Sequence, residues 1–327
     1  TFSAGSAETI AHTILLNALV ETGAISELPE QLSGKPPKAD ATPAEIAKMT
    51  GIFTAQAATV KVTEGKNRSL QMAVLTDGKW VTQPGRFERR EGGAFWSTKI
   101  PGQSFRTVKA WGRTYLVKRS LGATGTYYSD LTLGQRTRSV GPLSAPWQGR
   151  LGHKWLLANE DPSSLAWAAP PVVELSDIPG LSGYLLAKGA LVESVPFDAT
   201  TSDTFGTMFL QVPLLMGRDL YDFDFSQTDG TEWLSFSSSV LRPIATVPDL
   251  TAGSNSVSIG ERGLVSWHRV PNASKLTLSG QGDWKLFDSN LSIVGSGSGE
   301  TATTQAPAGA YLAVFGPAGT NATVTVE

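Results

Sequence analysis

Hydrophobic positions along this chain follow two different periods. Near the start, Thr9, Thr13, Asn17 and Glu21 recur every fourth residue and draw one polar ridge. Ile10, Ala11, Ile14, Leu15, Ala18 and Leu19 cover most of the remaining circumference. That pattern predicts a helix beginning at Ser6, with Glu8 in its first turn and Gly23 just past its end. A helix apolar over so wide an arc expects burial on more than one side. Yet everything downstream alternates with a period of two, so no helical or α/β body is predicted around it.

The downstream pattern falls into a linker and three β-rich stretches. Residues 26–42 carry Pro36-Pro37 and several charges and read as a linker. Thr42-Pro43-Ala44-Glu45 then combines an N-cap, a proline in the first turn and a glutamate three residues after the cap, which predicts a short helix ending near Gly51. From 43 to 140 strand patterns such as Thr59–Thr63 and Ser69–Leu75 alternate with turns, among them Asp77-Gly78, a hairpin signal. This stretch is expected to form an antiparallel barrel-like unit. A second such unit is expected over 141–247, where Tyr221, Phe223 and Phe225 share one face and Asp229-Gly230 turns the chain. Over 250–327 short strands separated by Gly, Ser, Pro and Asn predict a small β-sandwich. The fold class expected is therefore mainly β: an N-terminal helix, two antiparallel barrel-like (lipocalin-like) units and a C-terminal sandwich.

Composition narrows the functional classes. The net charge is −2 over 327 residues, without the basic surplus of a dedicated nucleic-acid binder. No apolar run reaches the roughly 18–20 residues of a membrane span. The chain has no cysteine, which removes disulfides and thiolate chemistry. The first-helix histidine, His12, is read as edging a buried face, and His153 and His268 lack partners at metal-ligand spacing, so no metal and no cofactor is expected. Asp222-Phe223-Asp224-Phe225-Ser226 imitates half a calcium loop but lacks the later Gly and Glu, and the hairpin explains it without a metal. Gly295-Ser296-Gly297-Ser298-Gly299 reads as a flexible turn. No Ser-x-x-Lys, Tyr-x-Asn, Lys-Thr-Gly or Gly-x-Ser-x-Gly occurs, so no nucleophile constellation is present in the chain.

Two segments have binding potential. Between Arg86 and Arg119 nine Lys and Arg stand against Glu88 and Glu91, with Trp96, Phe105, Trp111 and Tyr115 interleaved. The solvated face of a barrel is the favoured reading there. Trp147, Arg150 and His153 crowd a loop-like segment that also holds Lys154 and Trp155, and they are the candidate ligand contacts.

The order of parts resembles a known family. A strand end, Thr1-Phe2-Ser3-Ala4-Gly5-Ser6, feeds a helix ending Leu16-Asn17-Ala18-Leu19-Val20-Glu21-Thr22-Gly23. A charged proline linker follows, then Thr42–Lys48 and Thr50-Gly51-Ile52-Phe53. Over about the first 55 residues this is similar to the end of the catalytic domain, and the start of the tail barrels, of class C β-lactamase-like serine hydrolases, the penicillin-binding-protein type that includes D-aminopeptidases and esterases. The resemblance implies a non-catalytic accessory region, no catalytic residue within the chain, and a catalytic domain upstream of Thr1 as partner. Residues 1–25 would be the last helix of that domain, packing through Ile10, Ile14, Ala18 and Leu19. Trp147, Arg150 and His153 would shape a substrate-access loop, and the location would be periplasmic or secreted. A self-contained module for cell-wall or polysaccharide ligands and a lipocalin-like carrier of a small ligand are the alternatives.

Overall fold

Thr42 and Glu45 cap each other at the start of a seven-residue helix: the Thr42 hydroxyl accepts from the Glu45 amide at 3.2 Å and the Glu45 carboxylate accepts from the Thr42 amide at 2.8 Å. Arg89 then clamps the other carboxylate oxygen at 2.9 Å. These bonds, led by the Thr42 amide, hold the Glu45 carboxyl below the usual carboxylate range. The helix so fixed, α2 (Pro43–Met49), follows α1 (Ala4–Glu21) and drives Ile46 and Met49 into the end of a barrel.

A computed structural model describes residues 4–32, 35–56, 58–192, 195–211, 221–260, 265–280, 282–299 and 301–327. Its contacts divide the chain into two units, one of 1–138 with 210–219 and one of 139–209 with 220–327.

In the first unit, nine antiparallel strands follow α2: β1 (Gly51–Ala55), β2 (Ala58–Glu64), β3 (Leu70–Thr76), β4 (Lys79–Thr82), β5 (Phe87–Arg89), β6 (Phe95–Ser97), β7 (Gln103–Ala110), β8 (Arg113–Leu121) and β9 (Tyr128–Arg136). Eight of them close into a barrel in the order β2-β1-β9-β8-β7-β6-β5-β3, with β3 pairing back to β2 and β4 attached to β3 as a hairpin. Asp77 and Gly78 turn that hairpin with positive φ of 49° and 78°, as the Asp-Gly signal predicts. Inward positions from every side, including Phe53, Val62, Leu70, Phe87, Phe105 and Leu116, fill the lumen. Gln211, beyond the second barrel's short strand at 205–207, also belongs to this unit. Its carbonyl accepts from Tyr115 at 2.8 Å and its amide donates to Gln135 at 2.9 Å.

In the second unit a five-residue helix, α3 (Ala145–Gly149), precedes a closed barrel of β10 (Lys154–Leu157), β11 (Val172–Asp177), β12 (Tyr184–Lys188), β13 (Val195–Asp198), β14 (Phe205–Thr207), β15 (Asp222–Thr228), β16 (Thr231–Phe236) and β17 (Ser239–Pro243). The β15–β16 hairpin has the expected turn, with Asp229 and Gly230 at positive φ. Phe223 and Phe225 are buried while Asp222 and Asp224 are exposed, as the alternation predicts. The alternating pattern predicts a strand from Leu220 to Phe225, of which Leu220 lies outside the described residues.

The chain then forms β18 (Gly253–Ser258), β19 (Ser266–Val270), β20 (Ser274–Ser279), β21 (Asp283–Phe287), β22 (Ile293–Ser298), β23 (Thr301–Ala306), β24 (Ala310–Phe315) and β25 (Asn321–Val326). They make two four-stranded antiparallel sheets, β18-β25-β20-β23 and β19-β24-β21-β22, whose side chains share one apolar cluster. A second cluster joins Leu156, Leu157 and Trp167 of the barrel region to Trp267, Phe287 and Phe315 of the sheets. Within it the Trp267 indole donates to the Leu157 carbonyl at 2.7 Å.

Two expectations need correction. The glycine run at 295–299 is not a flexible turn: Gly295 and Gly297 lie in β22, paired with β21. A Cβ on Gly297 would stand 2.8 Å from the Trp284 indole, so the absence of a side chain there is what lets the ring lie across the strand. The helix α1 begins at Ala4 rather than after Ser6, and it is not buried on its apolar arc.

Candidate functional site

Two places hold the residues that the sequence pattern singled out. The first is α1. Its polar side meets the loop before β9: Glu8 accepts a short hydrogen bond from the Tyr127 hydroxyl, and His12 Nδ1 lies 3.2 Å from Thr124 Oγ1, its ring 4.9 Å from that of Tyr127. The bond to Glu8 raises the Tyr127 hydroxyl above its ordinary pKa. A cleft of about 320 Å³, lined by Thr9, Thr13 and Leu16 of the helix and by 123, 124 and 126, runs along this junction. The half-buried helix residues are Thr9, His12, Leu16, Leu19 and Val20, so none of the described side chains of α1 is fully buried.

The opposite arc faces outward. Ile10 is 49% exposed, Ile14 64% and Leu15 54%; Ala18 is also exposed and Leu19 half-buried. A helix of a finished globular surface turns its apolar stripe inward, whereas here Leu16, Leu19 and Val20 are only half-buried and Ile10, Ile14 and Leu15 stay outside with Thr13, Asn17 and Glu21. Of the four residues expected to pack on a partner, Ile10, Ile14 and Ala18 are therefore free to do so.

The second place is the end of the second barrel. Helix α3 inserts Trp147, which is wholly buried and donates its indole N–H to the Ser202 carbonyl at 2.6 Å. Its ring meets Phe197 and Phe225 at 5.7 and 5.3 Å between centroids, and Trp155 meets Phe225 at 5.5 Å. Arg150, also buried, lays its guanidinium 4.6 Å from the Trp147 ring and 4.0 Å from that of Phe225. Its Nη2 donates to Glu232 at 2.7 Å, Nε bonds the same carboxylate and Nη1 reaches the Asp203 carbonyl at 2.6 Å. A buried arginine is tolerated because its charge is paired and its donors are satisfied.

Trp147 and Arg150 thus form a plug that closes the barrel, while His153 lies exposed outside it, 6.0 Å from the Trp155 ring. The structure brings the first two together and leaves the third apart. Glu232, which anchors the plug, was not singled out by pattern. Its role depends on a contact with a residue 82 positions away.

The basic stretch from Arg86 to Arg119 is largely neutralised in place. Glu88 meets Arg86 and Arg90, Glu45 meets Arg89, and Asp130 meets Arg106 at 2.9 Å and Arg119 at 2.7 Å. The two arginines, Arg119 foremost, hold the Asp130 carboxyl below its ordinary value. Among the described residues no group of three or more His, Asp or Glu is placed to hold a metal ion, and no helix is long and apolar enough to cross a membrane. No family model matches this chain, and a comparison with curated proteins finds no match.

Proposed function

We propose that this chain is a non-catalytic C-terminal accessory region of a β-lactamase-like serine hydrolase of the peptidase or esterase kind. It docks through α1 onto a catalytic domain encoded upstream of Thr1 and shapes access to that domain's site. The observation that carries the reading is the outward apolar arc of Ile10, Ile14 and Leu15 on a helix that touches the rest of the chain through Glu8 and His12 and is only half-buried along Thr9, His12 and Leu16. Side chains about half or more exposed there gain burial only from something beyond the described chain. The order of parts supports the identity of that partner, since in the hydrolases it resembles a final helix precedes β-rich tail domains. Within this reading contact with substrate falls to His153, and Trp147 and Arg150 hold the barrel end behind it. The two C-terminal sheets are read as a small sandwich, and the location as periplasmic or secreted.

The experiment is co-expression of this chain with the segment encoded immediately upstream of Thr1. Full burial of an isoleucine is worth about 1.5–3 kcal/mol, and Ile14 has more than half of its surface still to bury. Ile14→Asp removes that gain and forces a carboxylate into the interface, so association weakens by a hundredfold or more, on the order of 3 kcal/mol. Circular dichroism of the β-units stays unchanged. Undiminished association, or a coding sequence with no domain upstream, overturns the proposal.

A further inference from the structure

One end of the first barrel gathers charge that is left open. Along β7 and β8, Phe105 and Leu116 point into the core, and the residues in step with them nearer the barrel end are Thr107, Lys109 and Thr114. On β9 the inward residue at this end is Arg136, paired with core residue Phe53 of β1. With Ala47 and Lys48 of α2 these side chains line a cleft of about 500 Å³.

Its electrostatics are one-sided. Among the described residues the lining holds three cations and two hydroxyls and no carboxylate. Among the described residues none of Lys48, Lys109 and Arg136 makes an ion pair, whereas most arginines of the neighbouring strands do. Arg136 is also pre-positioned. Its terminal nitrogens donate to the Thr50 carbonyl at 2.6 Å and to the Lys48 carbonyl, and its guanidinium lies 4.9 Å from the Phe53 ring. That leaves Nε and one hydrogen on each terminal nitrogen for another acceptor. Burial lowers the Arg136 pKa, the mark of a cation held partly out of water without a counter-charge. Like charges gathered in a concave, partly desolvated end raise the local potential, and an entering anion relieves it.

We infer that this cleft is a binding site for a small multivalent anion, a molecule bearing phosphate or several carboxylates. Arg136 is the fixed anchor, Lys48 of α2 and Lys109 of β7 add their charges, and Thr107 and Thr114 supply hydroxyl donors. The site is independent of the α1 docking face, and its test uses different variants.

The test is isothermal titration calorimetry on the full chain in chloride buffer at constant ionic strength, with pyrophosphate and with citrate as probes. Saturable binding of one anion per chain is expected. A preference for pyrophosphate assigns a phosphorylated ligand, and a preference for citrate a polycarboxylate. Exposed ion pairs are worth a factor of roughly 1.5–5 each, so Lys48→Gln with Lys109→Gln lowers affinity about tenfold. Lys79→Gln, an exposed lysine on β4, leaves affinity unchanged. Arg136 is left intact because it also ties α2 to β9. No saturable heat with either probe, or undiminished binding by the double variant with native circular dichroism, overturns the inference.

Discussion

Trp147 distinguishes a barrel plug from a ligand-contact loop, because the two roles predict opposite effects on stability. Trp147→Ala empties a site in which the side chain is wholly buried. Large-to-small changes of this kind cost about 3–5 kcal/mol, from lost transfer energy and the cavity left behind. The Ser202 carbonyl loses the indole N–H, worth about 1 kcal/mol. Arg150 loses one of its two aromatic faces, worth up to about 2 kcal/mol when desolvated. These contributions overlap, and about 4–5 kcal/mol is the expected total. That is a large share of the roughly 5–15 kcal/mol by which a domain is stable. Urea unfolding followed by near-ultraviolet circular dichroism reads it directly. Trp147→Phe serves as the intermediate case: it keeps an aromatic ring against Phe197 and Phe225 and loses the hydrogen bond, for about 1–3 kcal/mol. A ligand-contact tryptophan would leave the midpoint nearly unmoved, so a loss below about 1.5 kcal/mol for Trp147→Ala refutes the plug.

Two further outcomes are expected from local chemistry. Thr42→Ala removes one half of the capping box and costs about 1 kcal/mol. Faster amide exchange at Ile46 and Thr50 is the check, and unchanged exchange counts against the cap. His268, whose Nε2 lies 3.1 Å from Ser266 Oγ, is lowered from 6.5 to about 4, first by burial and then by the nearby Arg242. The unfolded chain therefore takes up this proton first as pH falls. The contribution is fully present above pH 6.5 and is lost on the way down to about 4. Comparing wild type with His268→Gln between pH 7 and 5 isolates it, and the variant's stability should fall less; parallel curves refute the assignment.

Much of the fold was legible because the signals are local. Asp77-Gly78 and Asp229-Gly230 supply the left-handed conformations that two hairpins require, and Thr42-Pro43-Ala44-Glu45 encodes its helix within four residues. Alternation at 221–225 placed Phe223 and Phe225 inside. What escaped depends on distant pairing. The plug reads as a loop because α3 has only five residues, and the partner that neutralises Arg150 sits on another strand. Gly295 and Gly297 look like a turn until Trp284 is laid across them. The cationic cleft draws Lys48, Lys109 and Arg136 from three separate elements, and only Lys109 lies in the stretch marked as basic. The amphipathic arc of α1 was plain in the pattern, but which way it faces depends on Tyr127 and Thr124, more than a hundred residues along.

Ring closure in each barrel joins the first strand of the ring's chain segment to its last: Phe53 with Arg136, and Trp155 with Pro243. These are among the most widely separated pairings within each barrel, so their loop-closure entropy must be met before they return any stability. Until that zipper shuts, a nascent barrel exposes two raw strand edges, each able to recruit another chain. The seams β1–β9 and β10–β17 are consequently expected to close last and to be the places where crowded refolding goes astray. A variant that weakens only these seams should betray itself by aggregate during refolding well before its equilibrium midpoint moves.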